Sequence, residues 1–371
     1  MILIPRPGYV RRIVRNKTRK QKRTWKAQEI QAVLSHYNLG SWQACHTLTG
    51  GSNSDNVLLQ TRQGNKVLKR YYWSLPSTMH EHSILCHLAD KEFPIPRLTL
   101  NKEGLTCTQV GDKHYAIYDF IEGYCPTNYF MPAGTRQWLI TQAGQTLACF
   151  HRLMEGFVPK GRKFNGFMPN GERLWRDVDW HLEILDRHAE NTTKKRSLDA
   201  TDTFILNIID DLKCDLIEAG HHYQQNNDQL PKQVIHGDYS PQNVLFKRQG
   251  VTAILDLGDA CVNLRALDVA WGLTSFSRTD RHGFNENLAR TFLLAYQDRQ
   301  ALSEKEIEAI PDLIRWRDLR NIVWKLTSSR PNPEARDTLF RFIHTKWQKA
   351  RWMKTHSDQV RDSLLSVKTL V

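Results

Sequence analysis

The 371-residue chain predicts an α+β fold in which a small antiparallel β-rich part comes first and a larger helical part follows. Three observations predict it. Between about residues 45 and 121, short β-prone apolar runs alternate with turns containing Gly, Asn or Pro, which is the mark of hairpins. Beyond residue 122, apolar residues recur at helical spacing over long stretches. Within those helices, a short region around 232–264 returns to brief strands separated by turns.

In chain order, Ile30, Val33, Leu34 and Tyr37 share one helical face and predict a helix over 29–37. Thr47-Leu48 and Val57–Thr61 then read as two strands around the turn Gly50-Gly51-Ser52-Asn53. Arg62-Gln63-Gly64-Asn65 turns the second of these into a strand over Lys66–Tyr72. Pro76 is suited to the first turn of a helix, which the apolar face Ile84, Leu85, Leu88 carries to Ala89. After Pro94 and Pro96 come strands over Leu105–Val110 and His114–Ile121. Helices are predicted at 137–152, 173–188, 199–223, 285–299, 303–329 and 333–352, with a Gly-rich loop over 155–172. The organisation is therefore a basic tail over 1–28, expected to be disordered, a β-rich lobe over 29–121 and a helical lobe over 122–371.

Composition excludes several classes of function. The net charge of +13 suggests a nucleic-acid binder until it is located. Residues 1–28 contain ten Lys or Arg and no acidic residue, which leaves 42 basic and 39 acidic residues elsewhere. The body is nearly neutral, so nucleic-acid contact is expected only as non-specific attraction of the tail. No apolar run reaches the roughly 18 residues of a membrane span. Seven cysteines with no C-x-x-C pair, and no apolar leader near Met1, predict reduced, mostly buried thiols in a cytoplasmic protein.

The most informative stretch is Ile235-His236-Gly237-Asp238-Tyr239-Ser240-Pro241-Gln242-Asn243-Val244-Leu245-Phe246, followed by Ile254-Leu255-Asp256-Leu257-Gly258. An aspartate, an asparagine five residues later and a second aspartate each lie beside an apolar β-prone run. Three oxygen donors delivered by short loops at strand ends suit a magnesium–nucleotide site. Asp238 is the candidate to orient and deprotonate a hydroxyl, and Asn243 with Asp256 are the candidate metal ligands.

The H-x-D-x-x-x-x-N pattern with a downstream aspartate resembles the kinase-like phosphotransferases. Its His-Gly-Asp form is most similar to the aminoglycoside phosphotransferase and choline kinase superfamily, which includes homoserine kinase-like and spore-coat-related members. The resemblance implies a two-lobed, protein-kinase-like fold, with ATP and Mg2+ as cofactors and a small-molecule hydroxyl as acceptor. It further implies that Lys69 reaches the nucleotide phosphates with Glu81 as its ion-pair partner, and that Val67 covers the adenine. Gly50, Gly51, Ser52 and Asn53 would line the phosphate turn. The main chain of Asp119 and Ile121 would hold the adenine, with Tyr118 guarding the back of its pocket. His236 would stabilise the catalytic loop, and Asp268 would cap the next helix, with facing the substrate as its alternative.

Only nine residues separate Gly258 from Asp268, too few for the activation segment of a protein kinase. The acceptor is therefore expected to be an aminoglycoside, amino alcohol, homoserine or sugar. A structural, spore-coat-type role with little kinase activity is the alternative. Retention of Lys69, Asp238, Asn243 and Asp256 argues for activity. Trp271, Trp316, Trp324, Trp347 and Trp352 are expected to pack between helices rather than to box a quaternary ammonium. His80, His82 and His87, spread around one helix, are not expected to bind zinc.

Overall fold

The computed structural model describes residues 25–48, 54–126, 132–161, 178–278, 284–328 and 333–367. They fall into two compact units. One is drawn from Met1–Thr127, Gly156–Pro169 and His236–Cys261, the other from Asn128–Glu155, Asn170–Ile235 and Val262–Val371. The predicted phosphate turn, Gly50 to Asn53, lies outside the described residues, as do residues 1–24.

The first unit is built on an antiparallel sheet. Its strands are β1 (Trp42–Leu48), β2 (Ser54–Thr61), β3 (Gly64–Tyr71), β4 (Leu98–Thr99), β5 (Thr108–Val110) and β6 (Lys113–Asp119). The order is β1-β2-β3-β6-β4, with β5 also pairing with β6. Leu68 of β3, Val57 and Leu59 of β2, and Tyr115 and Ile117 of β6 bury one face against Ile30, Val33 and Leu34 of helix α1 (Ala27–Leu34). Arg70, also on that face, is buried between Glu29 (2.8 Å) and Asp55 (2.5 Å), with Trp25 packed 4.5 Å from its guanidinium. Trp25 is thus packed on the sheet unit, and helix α1 begins at Ala27.

Strand alternation turns Val67, Lys69 and Tyr71 to the opposite face, where helix α2 (Leu75–Asp90) lies with Glu81 at Lys69. The strand predicted from Leu105 is shorter than expected. Asn101 accepts the Leu105 amide on its side chain (2.8 Å) and donates its own amide to the Leu105 carbonyl (2.9 Å). This side-chain-closed turn competes with the ladder until Thr108.

The chain returns to this unit with a hairpin of β8 (Val244–Lys247) and β9 (Gly250–Ile254). Tyr124 bridges to Phe246 through two backbone hydrogen bonds of 3.0 and 2.9 Å. Gly123 makes that approach possible, because a Cβ there would lie 2.9 Å from both Leu245 Cβ and Thr252 Oγ1.

The second unit is helical: α3 (Ala133–Leu153), α4 (Val178–Thr193), α5 (Ala200–Gln229), α6 (Arg265–Phe276), α7 (Glu286–Gln297), α8 (Glu304–Glu308), α9 (Ile310–Ser328) and α10 (Pro333–Leu365). Strands β7 (Lys232–Ile235) and β10 (Cys261–Leu264) pair as a short ribbon. The single helix predicted over 303–329 is two, because Pro311 lacks an amide donor and belongs in a first turn. The last helix runs 33 residues, well past residue 352, since no Gly or Pro interrupts it. Lys354 and Arg351 on it meet Asp215 of α5, and Lys354 also meets Glu218. Among the described residues no helix is long and apolar enough to cross a membrane.

None of the seven cysteines forms a disulfide, and none is fully buried. Cys45, Cys86 and Cys214 are exposed, which corrects the expectation of buried thiols. Cys45 is on β1, an edge strand of the sheet among the described residues.

Candidate active site

Lys69 leaves the centre of β3, opposite Ala116 of β6, and its ammonium donates to Glu81 Oε1 at 2.8 Å. Both side chains are nearly inaccessible. Burial disfavours the ammonium, but Glu81, Asp256 and Asp259 outweigh it and hold the Lys69 pKa above its ordinary value. Lys69 is therefore a permanent cation facing three carboxylates. Tyr71, Tyr118 and Trp73 surround it, with ring centres 4.7, 5.8 and 5.9 Å from Nζ.

Behind this pair runs a buried chain of polar groups. Glu81 as a carboxylate can only accept, so Tyr118 donates to its Oε1 (3.4 Å). Tyr71 then donates to Tyr118, His82 Nε2 donates to Tyr71 (3.0 Å), and Thr106 donates to His82 Nδ1 (2.8 Å). That ordering requires a neutral His82, and burial, reinforced by Lys69, lowers its pKa to about 3. Tyr118 thus has its hydroxyl committed to Glu81. His82 serves this network and His87 stacks on Phe157. Among the described residues no group of three or more His, Cys, Asp or Glu is placed to hold a metal.

The His-Gly-Asp loop is fixed by its own backbone. His236 Nε2 donates to the Leu255 carbonyl (3.0 Å) and its Nδ1 accepts from the Asp238 amide (3.2 Å). One neutral imidazole thereby ties the residue before Asp256 to Asp238. Gly237 has φ +80°, and a Cβ on it would fall 2.3 Å from the Asp259 carbonyl oxygen. No other residue type fits that crossing.

Asn243 donates from Nδ2 to both the carbonyl (2.8 Å) and the carboxylate (2.9 Å) of Asp238. Its Oδ1 therefore remains as the atom that can bind a cation. Val244 pairs with Ile254, and the Asn243 carbonyl accepts from Leu255 (2.8 Å). Asn243 and Asp256 consequently emerge from the same end of the β8–β9 hairpin. Asp256 adopts φ +60°, ψ +61°, one of two non-glycine residues with positive φ among those described. Aspartate tolerates this left-handed region better than most residues, at a cost of about 1 kcal/mol. The kink leaves its carboxylate solvent-exposed ahead of the turn Leu257–Asp259. One neutral and one charged oxygen donor at the same end of a hairpin suit a hard cation that takes its remaining ligands from phosphates and water.

At the proposed adenine edge, Val67 pairs with Tyr118 across β3 and β6. The Asp119 amide is committed to the Arg97 carbonyl (2.9 Å) and its carboxylate to Lys66 (2.6 Å), so a nucleobase contact there falls to its carbonyl. The Ile121 amide makes no hydrogen bond among the described residues.

Sequence reasoning missed Trp73, Asp259 and the Tyr71–His82 chain. Trp73 touches the Asp256-Leu257-Gly258 turn, and a Cβ on Gly258 would lie 2.1 Å from its indole. No spacing rule signals a tryptophan two residues beyond a strand.

In the helical unit Asp268 does not cap its helix. Leu264 holds the N-cap, and Asp268 sits one turn in, fully buried, 3.1 Å from His151 Nε2. His151 Nδ1 meets the Tyr296 hydroxyl at 2.7 Å. The tryptophans are engaged as packing groups. Trp316 stacks on Tyr223 and Trp352 on His356, while Trp271 faces Arg317 (3.4 Å) and Lys346 (4.8 Å). A ring already satisfied by the protein's own cations is poorly disposed to bind a ligand's quaternary ammonium.

Residues 45–304 match the sequence profile of the phosphotransferase enzyme family known as APH. The chain belongs to this phosphotransferase family. It is a small-molecule phosphotransferase with the kinase-like fold, and a homoserine kinase of Caulobacter vibrioides (strain NA1000 / CB15N) is 29% identical to it over 310 residues. That alignment covers 82% of this chain and 88% of the relative. Among solved structures, an aminoglycoside phosphotransferase from Alicyclobacillus acidocaldarius superposes with a TM-score of 0.64 at 20% identity, covering 93% of this chain and all of that one. A microcompartment-associated aminopropanol kinase gives 0.61 at 14% identity, covering 92% of this phosphotransferase and all of its own chain.

Proposed function

We propose that this phosphotransferase moves the γ-phosphoryl group of Mg-ATP to the hydroxyl of a small amino alcohol of the homoserine type. The observation that carries the nucleotide part is the buried Lys69–Glu81 pair standing in the field of Asp256. The acceptor class rests on the homoserine kinase relatives, which align over most of this chain. The ring contacts of Trp271 argue against a choline-type acceptor at that residue.

In this reading Lys69 neutralises the nucleotide phosphates, and Glu81 keeps its ammonium in place. Asn243 Oδ1 and the Asp256 carboxylate would hold the cation, which would supply charge screening for the nucleotide phosphates. Asp238, oriented by Asn243, accepts the hydroxyl proton as the acceptor oxygen bonds to the γ-phosphorus. The bond from phosphorus to the bridging oxygen breaks and ADP leaves. Because such transition states are loose, alignment by Asp238 contributes more than its basicity.

A panel of homoserine, 1-amino-2-propanol, ethanolamine, choline, kanamycin and ribose, read by ADP release, tests the acceptor. Homoserine or a short amino alcohol is expected to give the highest kcat/KM. Preference for kanamycin or ribose would overturn the acceptor assignment.

A further inference from the structure

Glu81 is only as well placed as the helix that carries it, and α2 is held on two sides. Its sheet-facing stripe includes Glu81, Ile84, Leu85 and Leu88, all buried. Pro76, His80, Ser83 and His87 recur at helical spacing on a second stripe, about 120° around the axis. Residues 156–161, which belong to the same compact unit, run along that second stripe.

The contacts are specific. Phe157 stacks on His87 with ring centres 4.1 Å apart and planes 24° from parallel. The Lys160 amide donates to Ser83 Oγ at 3.0 Å, and the Lys160 carbonyl lies 3.3 Å from the same hydroxyl. Gly161, at φ +87°, lies against the first turns of α2. A Cβ on it would come 2.6 Å from the Pro76 carbonyl oxygen and 2.9 Å from the His80 amide nitrogen. This is backbone packed on backbone, which leaves the helix little room to roll.

We infer that residues 157–161 form a strap that positions α2, and through it Glu81, so that Lys69 is presented to the nucleotide. Phe157 and Gly161 are positioning residues acting through Glu81. The inference rests on the nucleotide site proposed above. Ordinary fold stabilisation by the strap would lower the melting temperature without acting through Glu81, and the two roles separate by experiment.

The test is a double-mutant cycle read as the Kd of Mg-AMPPNP. Phe157→Ala is expected to weaken binding about threefold to tenfold, the worth of one aromatic stack, and Gly161→Ala at least as much. Phe157→Tyr, which keeps the stack, restores most of the affinity. In a Glu81→Gln background Phe157→Ala and Gly161→Ala change Kd less than about twofold, because the group they position is gone. Equal losses in both backgrounds, or no loss in either, would overturn the strap while leaving the nucleotide site standing. Failure of the unaltered chain to bind Mg-AMPPNP would overturn both.

Discussion

Asp238→Asn is expected to lower kcat by about 10³-fold while leaving Mg-nucleotide affinity within about twofold. The substitution is nearly isosteric. The loop around it is held by main-chain and neighbouring groups that survive the change: the Asp238 amide on His236, and its carbonyl on Asn243 Nδ2. The 2.9 Å bond from Asn243 to the carboxylate can also persist with an amide oxygen. What is lost is the negative charge that aligns the hydroxyl and takes its proton. Steady-state kinetics with the preferred acceptor, together with a binding isotherm for Mg-AMPPNP, checks both halves. A variant with near-normal turnover would remove Asp238 from the chemistry.

Gly237→Ala is the second large effect, and it works through geometry instead of charge. A left-handed conformation at an alanine costs about 1–2 kcal/mol. The added methyl would also sit 2.3 Å from the Asp259 carbonyl oxygen, so the His236–Asp238 loop or the Leu257–Asp259 turn must move. Overpacking of this kind costs a further 1–3 kcal/mol or so. Either displacement shifts Asp238 relative to Asp256, and a misplacement of roughly 1 Å is enough for about 10²-fold in rate. We expect turnover to fall by at least that factor, with a visible loss in urea-unfolding midpoint. Kinetics within twofold of the unaltered chain would show that the close approach does not fix the loop.

Asp238, Asn243 and Asp256 stand out in the sequence as candidates, because oxygen donors at fixed spacing between apolar strands suit a cation–phosphate site and few other sites. Alternation and periodicity place Lys69 on a strand and Glu81 on the next helix, the family resemblance implies their pairing, and the structure brings them to 2.8 Å. Local conflicts were harder to read. Asn101 closes a side-chain turn that shortens a predicted strand, and Pro311 splits a helix whose apolar pattern runs straight through it. Asp268 has the residue type of a cap, yet it is buried with His151, a partner 117 positions away that no local pattern discloses. The same holds for Trp73 against Gly258 and for Phe157 on His87, which depend on how distant segments meet. Patterns within a dozen or so residues disclose elements and motifs. The contacts that hold those motifs still are written only in the fold.

The most direct measurement is thermal unfolding with and without Mg-ATP, in the unaltered chain and in Asp256→Ala. A ligand at about 100 times its Kd stabilises the folded state by about 2.7 kcal/mol. The unaltered chain should therefore melt several degrees higher with Mg-ATP, and Asp256→Ala should lose that increment while folding normally without nucleotide. An unaltered chain indifferent to Mg-ATP, or an Asp256→Ala variant stabilised as fully as the parent, would contradict the nucleotide site built from Lys69, Glu81, Asn243 and Asp256.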